Sequence, residues 1–189
     1  MNRLVKFPSK KEVETAAAIL KNGGVVVYPT DTVVGVGCSY DNQKAIERIY
    51  QIKKRPKVPM PTLIASVAQL KLLGCQLTSP AKNLVKKFWP GALTVVLPCN
   101  SVRIAVRMPN YPPVLDLIKL AGKPIIGTSA NFHSQPAVGR IKDLDENFKK
   151  LVDYVLPGEC ILKKESTVVG CTGKRLKILR QGALRIRSG

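Results

Sequence analysis

The order of apolar and polar residues divides the chain into short segments that alternate between helical and extended periodicity. "PSKKEVETAAAILKNGG" predicts a helix, opened by a Ser9–Glu12 capping box and stopped by Gly23 and Gly24. "VVVYP" follows as a short buried strand, with the Thr- and Gly-rich "TDTVVGVGC" as its extension. "DNQKAIERIYQIKK" predicts a second helix, capped by Asp41 and burying Ala45, Ile46, Ile49 and Ile52. It must end near Arg55, because the residue before Pro56 is disfavoured in a helix. "PTLIA", "ALTVVLP" and "RIAVRMP" read as strands, and "SVAQLKLLG" and "SPAKNLVKKFWPG" as short helices. The latter has Ser79 as N-cap, Pro80 in its first turn and Trp89 as a core residue. "PPVLDLIKLAG" and "IKDLDENFKKLVDYV" complete the helices; "KPIIGTSAN", "CILK", "STVVGC" and "RLKILR" complete the strands.

No repeat, low-complexity tract or long linker interrupts this pattern, so residues 1–189 are expected to form one α/β domain around a twisted mixed sheet. Charge adds a partner class. Lys and Arg number 31 against 12 Asp and Glu, a net charge of +19 with a pI near 10.0. That excess goes beyond solubility and points to polyanions such as nucleic acid or nucleotide phosphates. A membrane partner is disfavoured, since no apolar run reaches about 18 residues. "MNRLVKFPSKKE" lacks the apolar core of a signal peptide. The five cysteines are widely spaced without C-x-x-C, and His133 is the only histidine. A disulfide framework and a zinc site are therefore not expected; five buried thiols in a reducing cytoplasm are.

Several segments carry chemistry-bearing side chains. In "QIKKRPKVPM", Lys53 and Arg55 diverge if helical but face the same way if the chain is extended before Pro56, where both can reach one anion. Ser129 and Asn131 of "GTSAN" share that spacing at the end of an apolar strand, a favoured position for ligand loops. Arg103 and Arg107 fall on one face of a strand. Thr30, Asp31 and Thr32 follow a buried strand, and Ser166 and Arg180 lie in "ESTVVG" and "ILRQG". Taken singly, each also reads as a solvated helix end, a turn or a sheet surface. Asp143, Asp145 and Glu146 sit at a helix start, where they serve the dipole rather than a metal. P-loop, complete dinucleotide and G-x-S-x-G signatures are absent from the sequence.

Together, "YPTDTVVGVG", "KKRP", "WPGALTVVL", "AVRMP", "TSAN", "ESTVV" and "ILRQG" resemble, in order and over nearly the whole chain, the YrdC/TsaC family of L-threonylcarbamoyladenylate synthases. The resemblance implies a twisted open mixed β-sheet with flanking helices and a large basic concave cavity. It implies that L-threonine, bicarbonate and ATP give threonylcarbamoyl-AMP and pyrophosphate, for N6-threonylcarbamoyladenosine modification of tRNA by a partner transferase complex. By motif, Lys53, Arg55, Ser129 and Asn131 form the catalytic signature. Thr30, Arg107, Ser129 and Ser166 hold threonine, and Lys53, Arg55, Arg103, Asn131 and Arg180 hold ATP. No protein metal site is implied; Mg2+ arrives with ATP. The alternative is a non-catalytic YrdC-like module that binds tRNA or double-stranded RNA, which the same positive charge would serve.

Overall fold

The computed structural model describes residues 5–173 and 176–186. Helix α1 (Lys10–Lys21) opens on the expected capping box: the Glu12 amide donates to Ser9 Oγ at 3.3 Å, and the Ser9 amide donates to the Glu12 carboxylate at 2.7 Å. Strand β1 (Val26–Tyr28) does not continue into the segment expected to extend it. The chain reverses and returns as β2 (Gly35–Ser39), antiparallel to β1 with Tyr28 opposite Gly35. Two threonines tighten the reversal: Thr30 Oγ1 donates to the Val33 carbonyl at 2.7 Å and accepts from the Thr32 amide at 2.9 Å.

Helix α2 (Gln43–Lys53) is capped by Asn42, whose side chain accepts from the Ala45 amide at 3.0 Å. Asp41, the expected cap, lies one residue too early and pairs with Lys123. Ala45, Ile49 and Ile52 are buried as expected, whereas Ile46 is half-buried. Strand β3 (Thr62–Leu63) leads to a 3-10 turn, Val67–Lys71, where a longer helix was expected. Helix α3 (Ser79–Phe88) is capped by Thr78 rather than Ser79, and Thr78 Oγ1 also donates to the Cys171 carbonyl at 2.9 Å. Strands β4 (Leu93–Cys99) and β5 (Val102–Arg107), helix α4 (Pro112–Ala121) and strand β6 (Ile125–Ser129) match the sequence pattern.

The helix expected over 141–155 does not form. Asp145 caps a new four-residue turn, α5 (Glu146–Lys149). Asp153 then accepts from the Val25 amide at 2.7 Å, which draws β7 (Tyr154–Val155) parallel to β1. "CILK" is no strand: the Ile161 and Leu162 amides donate instead to the carbonyls of Thr30 and Asp31. Strands β8 (Thr167–Gly170) and β9 (Lys177–Arg180) close the chain. One expectation for the cysteines fails. Cys75 and Cys99 face each other in an antiparallel bridge and form a disulfide, leaving Cys38, Cys160 and Cys171 as buried thiols.

The nine strands of the described residues join one mixed sheet, in the order β7-β1-β2-β6-β3-β5-β4-β8-β9. Its two halves are covered differently. In the β7–β6 half, Val26, Tyr28 and Ile125 pack beneath α1 and α4, while Val27, Val36 and Cys38 pack on the other face against α2 and α5. In the β5–β8 half, α3 covers only the face formed by Val95, Leu97, Val106 and Val169. The opposite face grades from buried Thr94 and Arg107 through half-buried Val96 and Ala105 to exposed Arg103.

Tyr28 spans the covered half. A Cβ placed on Gly35 would meet its ring at 2.8 Å, and on Gly37 or Gly127 its hydroxyl at 2.8 and 2.7 Å. Three side-chain-free positions thus let the ring lie across β2 toward β6. Gly127→Ala would also press on Leu63 Cγ at 2.8 Å. We expect this variant to lose about 1–3 kcal/mol in urea unfolding, the usual cost of overpacking; wild-type stability would refute the close packing.

Candidate functional site

A cavity of about 300 Å3 opens where the helical cover of the sheet ends. Three elements end there. The β1–β2 turn brings Thr30 and Thr32, the last residue of β5 is Arg107, and the last residue of β6 is Ser129. Thr94, itself buried but on the opposite face from Leu93 and Val95, supplies the floor together with Ser166. Arg55 enters after α2, and Glu165 and Arg180 form the β8–β9 side.

Arg107 organises the closed end. It is 7% exposed, and its guanidinium meets the carboxylate of Asp31, which is equally buried. Arg107 Nη1 donates to Thr32 Oγ1 at 2.7 Å and Nε to the Gly91 carbonyl at 3.0 Å. Burial pushes its pKa down, and Asp31 opposes that shift. Of five N–H groups, one on each Nη remains without a partner among the described residues. Such a pair of donors matches a carboxylate or phosphate. Beside it, Thr94 and Ser166 hydroxyls meet at 2.8 Å, and Arg180 bridges the Ser166 carbonyl at 3.0 Å and Glu165 at 2.7 Å. On the facing wall, Arg55 Nε is buried with no partner among the described residues.

Lys53 sits differently from what its spacing predicts. The chain is not extended here. Lys53 ends α2, and Lys54 caps it in the left-handed conformation at φ 51°. Lys53 is therefore directed behind the cavity wall, 3% exposed. Its Nζ donates to the Ser129 carbonyl at 2.5 Å, the Asn131 carbonyl at 2.8 Å and Asn131 Oδ1 at 3.1 Å. The Asn131 amide donates onward to the Gln135 carbonyl at 2.5 Å. The two signature pairs thus meet, but through Lys53 fastening the Ser129–Asn131 loop rather than through four side chains lining one wall. Lys54 points to solvent over the Phe132 ring, 5.8 Å from its centroid.

Thr30, Arg55, Arg107, Ser129, Ser166 and Arg180 line the cavity, while Lys53 and Asn131 stand behind it. Arg103 is not brought in. It is exposed at the other end of β5, opposite Pro98, on the same face as Arg107 but about 13 Å away along the strand. Tyr28, Thr94 and Glu165 line the cavity and were not singled out from the sequence. Only Thr94 left a signal there: the strand alternation that buries Leu93 and Val95 turns it to the opposite face.

Burial, with the nearby Arg55 charge, brings Lys53 down from 10.5 to about 8. Between these values the unfolded chain holds a proton that the folded chain has released, so this residue makes stability rise with pH across that window. The slope is at most about 1.4 kcal/mol per pH unit. In urea titrations between pH 8 and 10 we expect wild type to gain stability relative to Lys53→Met as pH rises. Parallel curves would mean that Lys53 titrates as an exposed lysine.

Comparison with known proteins bears on this geometry. The family model of Sua5/YciO/YrdC, described as "Telomere recombination", matches residues 18–182. A protein of Bacillus subtilis named threonylcarbamoyl-AMP synthase is 37% identical over 92% of this chain, and one of Pyrococcus abyssi with the same name 35% identical over 92%. The chain spans 54% of the length of each. A Vibrio campbellii protein of that name is 31% identical over 91% of this chain and the whole of its own length. Among solved structures, P. abyssi Sua5 complexed with L-threonine superposes with a TM-score of 0.86 at 34% identity, covering 92% of this chain and 55% of that one. Escherichia coli YciO superposes at 0.84 with 24% identity, covering 94% of this chain and 92% of its own, a likeness of fold alone. The extent of the family match and the identity to these relatives show that the chain belongs to the Sua5/YciO/YrdC family.

Proposed function

We propose that this protein is a threonylcarbamoyl-AMP synthase, and that the cavity holds L-threonine at its closed end and ATP toward its mouth. One observation carries this reading: a single cavity has two separate grips for anions. The spare N–H groups of Arg107 suit an amino-acid carboxylate. The unpartnered Arg55 Nε, with Arg180 across from it, suits phosphate. The names of the relatives and the threonine complex of P. abyssi Sua5 support the same assignment.

In this reading the threonine amine attacks the carbon of CO2 supplied by bicarbonate and loses a proton, giving a carbamate. A carbamate oxygen attacks the α-phosphorus of ATP. The bond to the bridging oxygen of the β-phosphate breaks, and pyrophosphate leaves. No protein nucleophile is needed; the site holds two anions together and offsets charge on the transferring group. Thr30, Ser129 and Ser166 orient threonine, and Arg55 and Arg180 face the phosphates. Arg103, farther along the open sheet face, meets the distal part of the nucleotide. Lys53 and Asn131 set the position of the Ser129 loop. The donor set suits Mg2+ carried by ATP: Glu165, which lines the cavity, already meets Arg180, and Asp31 behind it meets Arg107. An ion held by phosphate oxygens and water requires no dedicated protein cage. The product passes to a tRNA-modifying transferase.

A second surface supports contact with RNA itself. Residues 48–115 and 166–189 contain no Asp or Glu and carry seventeen of the 31 Lys and Arg. Among the described residues, β3, α3, β4, β5, β8 and β9 of the covered half of the sheet fall within these segments. Lys82, Lys86 and Lys87 are exposed on α3, whose apolar side, Ala81, Leu84 and Val85, is already committed to the core. That helix cannot insert into a bilayer, and its lysines suit a phosphate backbone. Among the described residues no helix is long and apolar enough to cross a membrane.

Pyrophosphate release from ATP that depends on both threonine and bicarbonate tests the enzymatic reading. Arg55→Ala and Ser129→Ala are expected to lower turnover at least about tenfold while remaining folded, and Lys54→Ala to change it little. Wild-type turnover in the first two would sink the site assignment. For the RNA surface, the triple variant Lys82→Glu, Lys86→Glu, Lys87→Glu is expected to bind duplex RNA at least about tenfold more weakly. The salt slope should fall by about two to three, with pyrophosphate release within about twofold of wild type. An unchanged slope would remove α3 from any RNA contact.

A further inference from the structure

Among the described residues, Glu165 is the only carboxylate that lines the cavity. One of its oxygens accepts from Arg180 Nη1 at 2.7 Å, and the other has no partner among the described residues. The side chain is 41% exposed, so water and a ligand can both reach it. The cavity offers no other base. No histidine lines it. Burial pushes the Tyr28 phenol up, so it stays protonated at neutral pH. Lys53 stands behind the wall with its donors committed to Ser129 and Asn131, and Asp31 is buried against Arg107. The remaining polar side chains of the lining are hydroxyls and guanidinium groups, which take up no proton near neutral pH.

The synthase chemistry has a proton to place. Threonine enters as an ammonium; passing one proton to bicarbonate gives the free amine, CO2 and water. When the amine nitrogen bonds to the CO2 carbon it carries a positive charge and two N–H bonds, and one of these must break to leave the carbamate. That nitrogen is one carbon from the carboxylate assigned to Arg107 and one carbon from the oxygen that attacks the α-phosphorus. It therefore lies between the two anion grips. Glu165 belongs to the same interval. Arg180, which holds it, also donates to the Ser166 carbonyl at 3.0 Å, and the Ser166 hydroxyl meets Thr94 on the cavity floor at 2.8 Å. Across the cavity, Lys53 behind the Arg55 wall feels the Glu165 charge. We propose that Glu165 is the catalytic base that takes the proton from the threonine nitrogen as the carbamate forms. The electron pair of the broken N–H bond stays on nitrogen, and the carboxylic acid then returns the proton to water at the cavity mouth. A carboxylate suffices, because bonding to CO2 makes the remaining N–H groups far more acidic than those of a free ammonium. The assignment rests on the synthase reading.

The test uses Glu165→Gln, which keeps an oxygen for Arg180 but takes up no proton. At neutral pH its forward turnover, read as pyrophosphate release with ATP, threonine and bicarbonate, is expected to fall about 100-fold or more. Formation of ATP from threonylcarbamoyl-AMP and pyrophosphate breaks only the bond between phosphorus and the carbamate oxygen and moves no nitrogen proton. It should stay within about threefold of wild type, which also shows that the variant is folded. Raising the pH supplies hydroxide in place of the base and should restore the forward rate of Glu165→Gln more than the reverse rate. The charged groups around Glu165 are Arg180, Arg55 and Arg107 of the cavity, Lys53 behind the facing wall, and Lys163 and Lys164 before it in the chain. Comparing the two directions at each pH cancels their titration, since both directions use the same site. A parallel loss in both directions would make Glu165 a holder of Arg180 and overturn the proposal. Near-wild-type forward turnover in Glu165→Gln, with Glu165→Ala impaired in both directions, would do the same. If wild type neither releases pyrophosphate with threonine nor forms ATP from threonylcarbamoyl-AMP, the synthase reading itself fails and the base assignment falls with it.

Discussion

The buried pair of Arg107 and Asp31 is the constraint on which the rest of the site depends. Two ions removed from water are costly, and only close geometry with further hydrogen bonds offsets that cost. Here Thr32 and the Gly91 carbonyl take up two further N–H groups of the guanidinium. The pair consequently ties together three pieces of chain remote in sequence: the β1–β2 turn, the end of β5 and the turn before β4. An apolar pair of similar volume would hold such a junction as well, so packing alone does not account for the ions. Their use is the two N–H groups left over. An arginine already fixed in place by the protein loses little freedom on meeting an anion, so its donors act with the advantage of preorganisation.

The cavity beside Arg107 is positioned by uneven helical cover. Beneath α1 and α4 the sheet is packed on both faces, and β1 and nearly all of β2 are buried. Past β3 the cover stops, and the same face turns from core to solvent within two strands. Leu63 is still packed with the core, while Arg107, its partner in register on β5, faces the cavity. The cavity is thus a step in the packing. One wall is the end of a hydrophobic layer, the other an open polar sheet, and an amphipathic substrate fits across the boundary. In the synthase we propose, the small amino acid lies on the walled side and the larger, charged nucleotide on the open side.

Much of this was legible in the sequence where local rules operate alone. The α1 capping box, the alternation of β4 and β5 and the polar ends of β5 and β6 all follow from spacing. Errors arose where tertiary contacts override local preference. Asp41 looks like a cap but is drawn to Lys123, and Asp153 pulls the end of a presumed helix into an edge strand. The β1 extension became a hairpin because Thr30 and Thr32 bond to their own backbone, and no periodicity reports that. Cys75 and Cys99 became partners through a bridge between a turn and a strand end that spacing does not reveal. Tyr28 escaped notice because the end of "VVVY" reads as core, and its ring is indeed core. It borders the cavity while its hydroxyl stays buried against Gly37 and Gly127.

The K-x-R and S-x-N motifs show how a correct pairing can have an unexpected physical basis. Spacing suggested two cations converging on one ligand. Instead, a left-handed residue at Lys54 separates them, sending Arg55 into the cavity and Lys53 behind it. There the three Lys53 donors are taken up by Ser129 and Asn131, two of them by backbone carbonyls. A lysine in that role fixes the height of a loop. Any change of its charge, whether by pH or by a neighbouring anion, is transmitted to Ser129 without a direct contact between Lys53 and substrate. The lowered pKa follows from the same arrangement: the ammonium is held by dipoles in a dry setting beside a like charge, with no carboxylate bonded to it. Occupation of the cavity by a phosphate near Arg55 would relieve part of that repulsion and favour the charged lysine. In the synthase we propose, nucleotide binding and the position of the Ser129 loop would then be linked through the charge of Lys53.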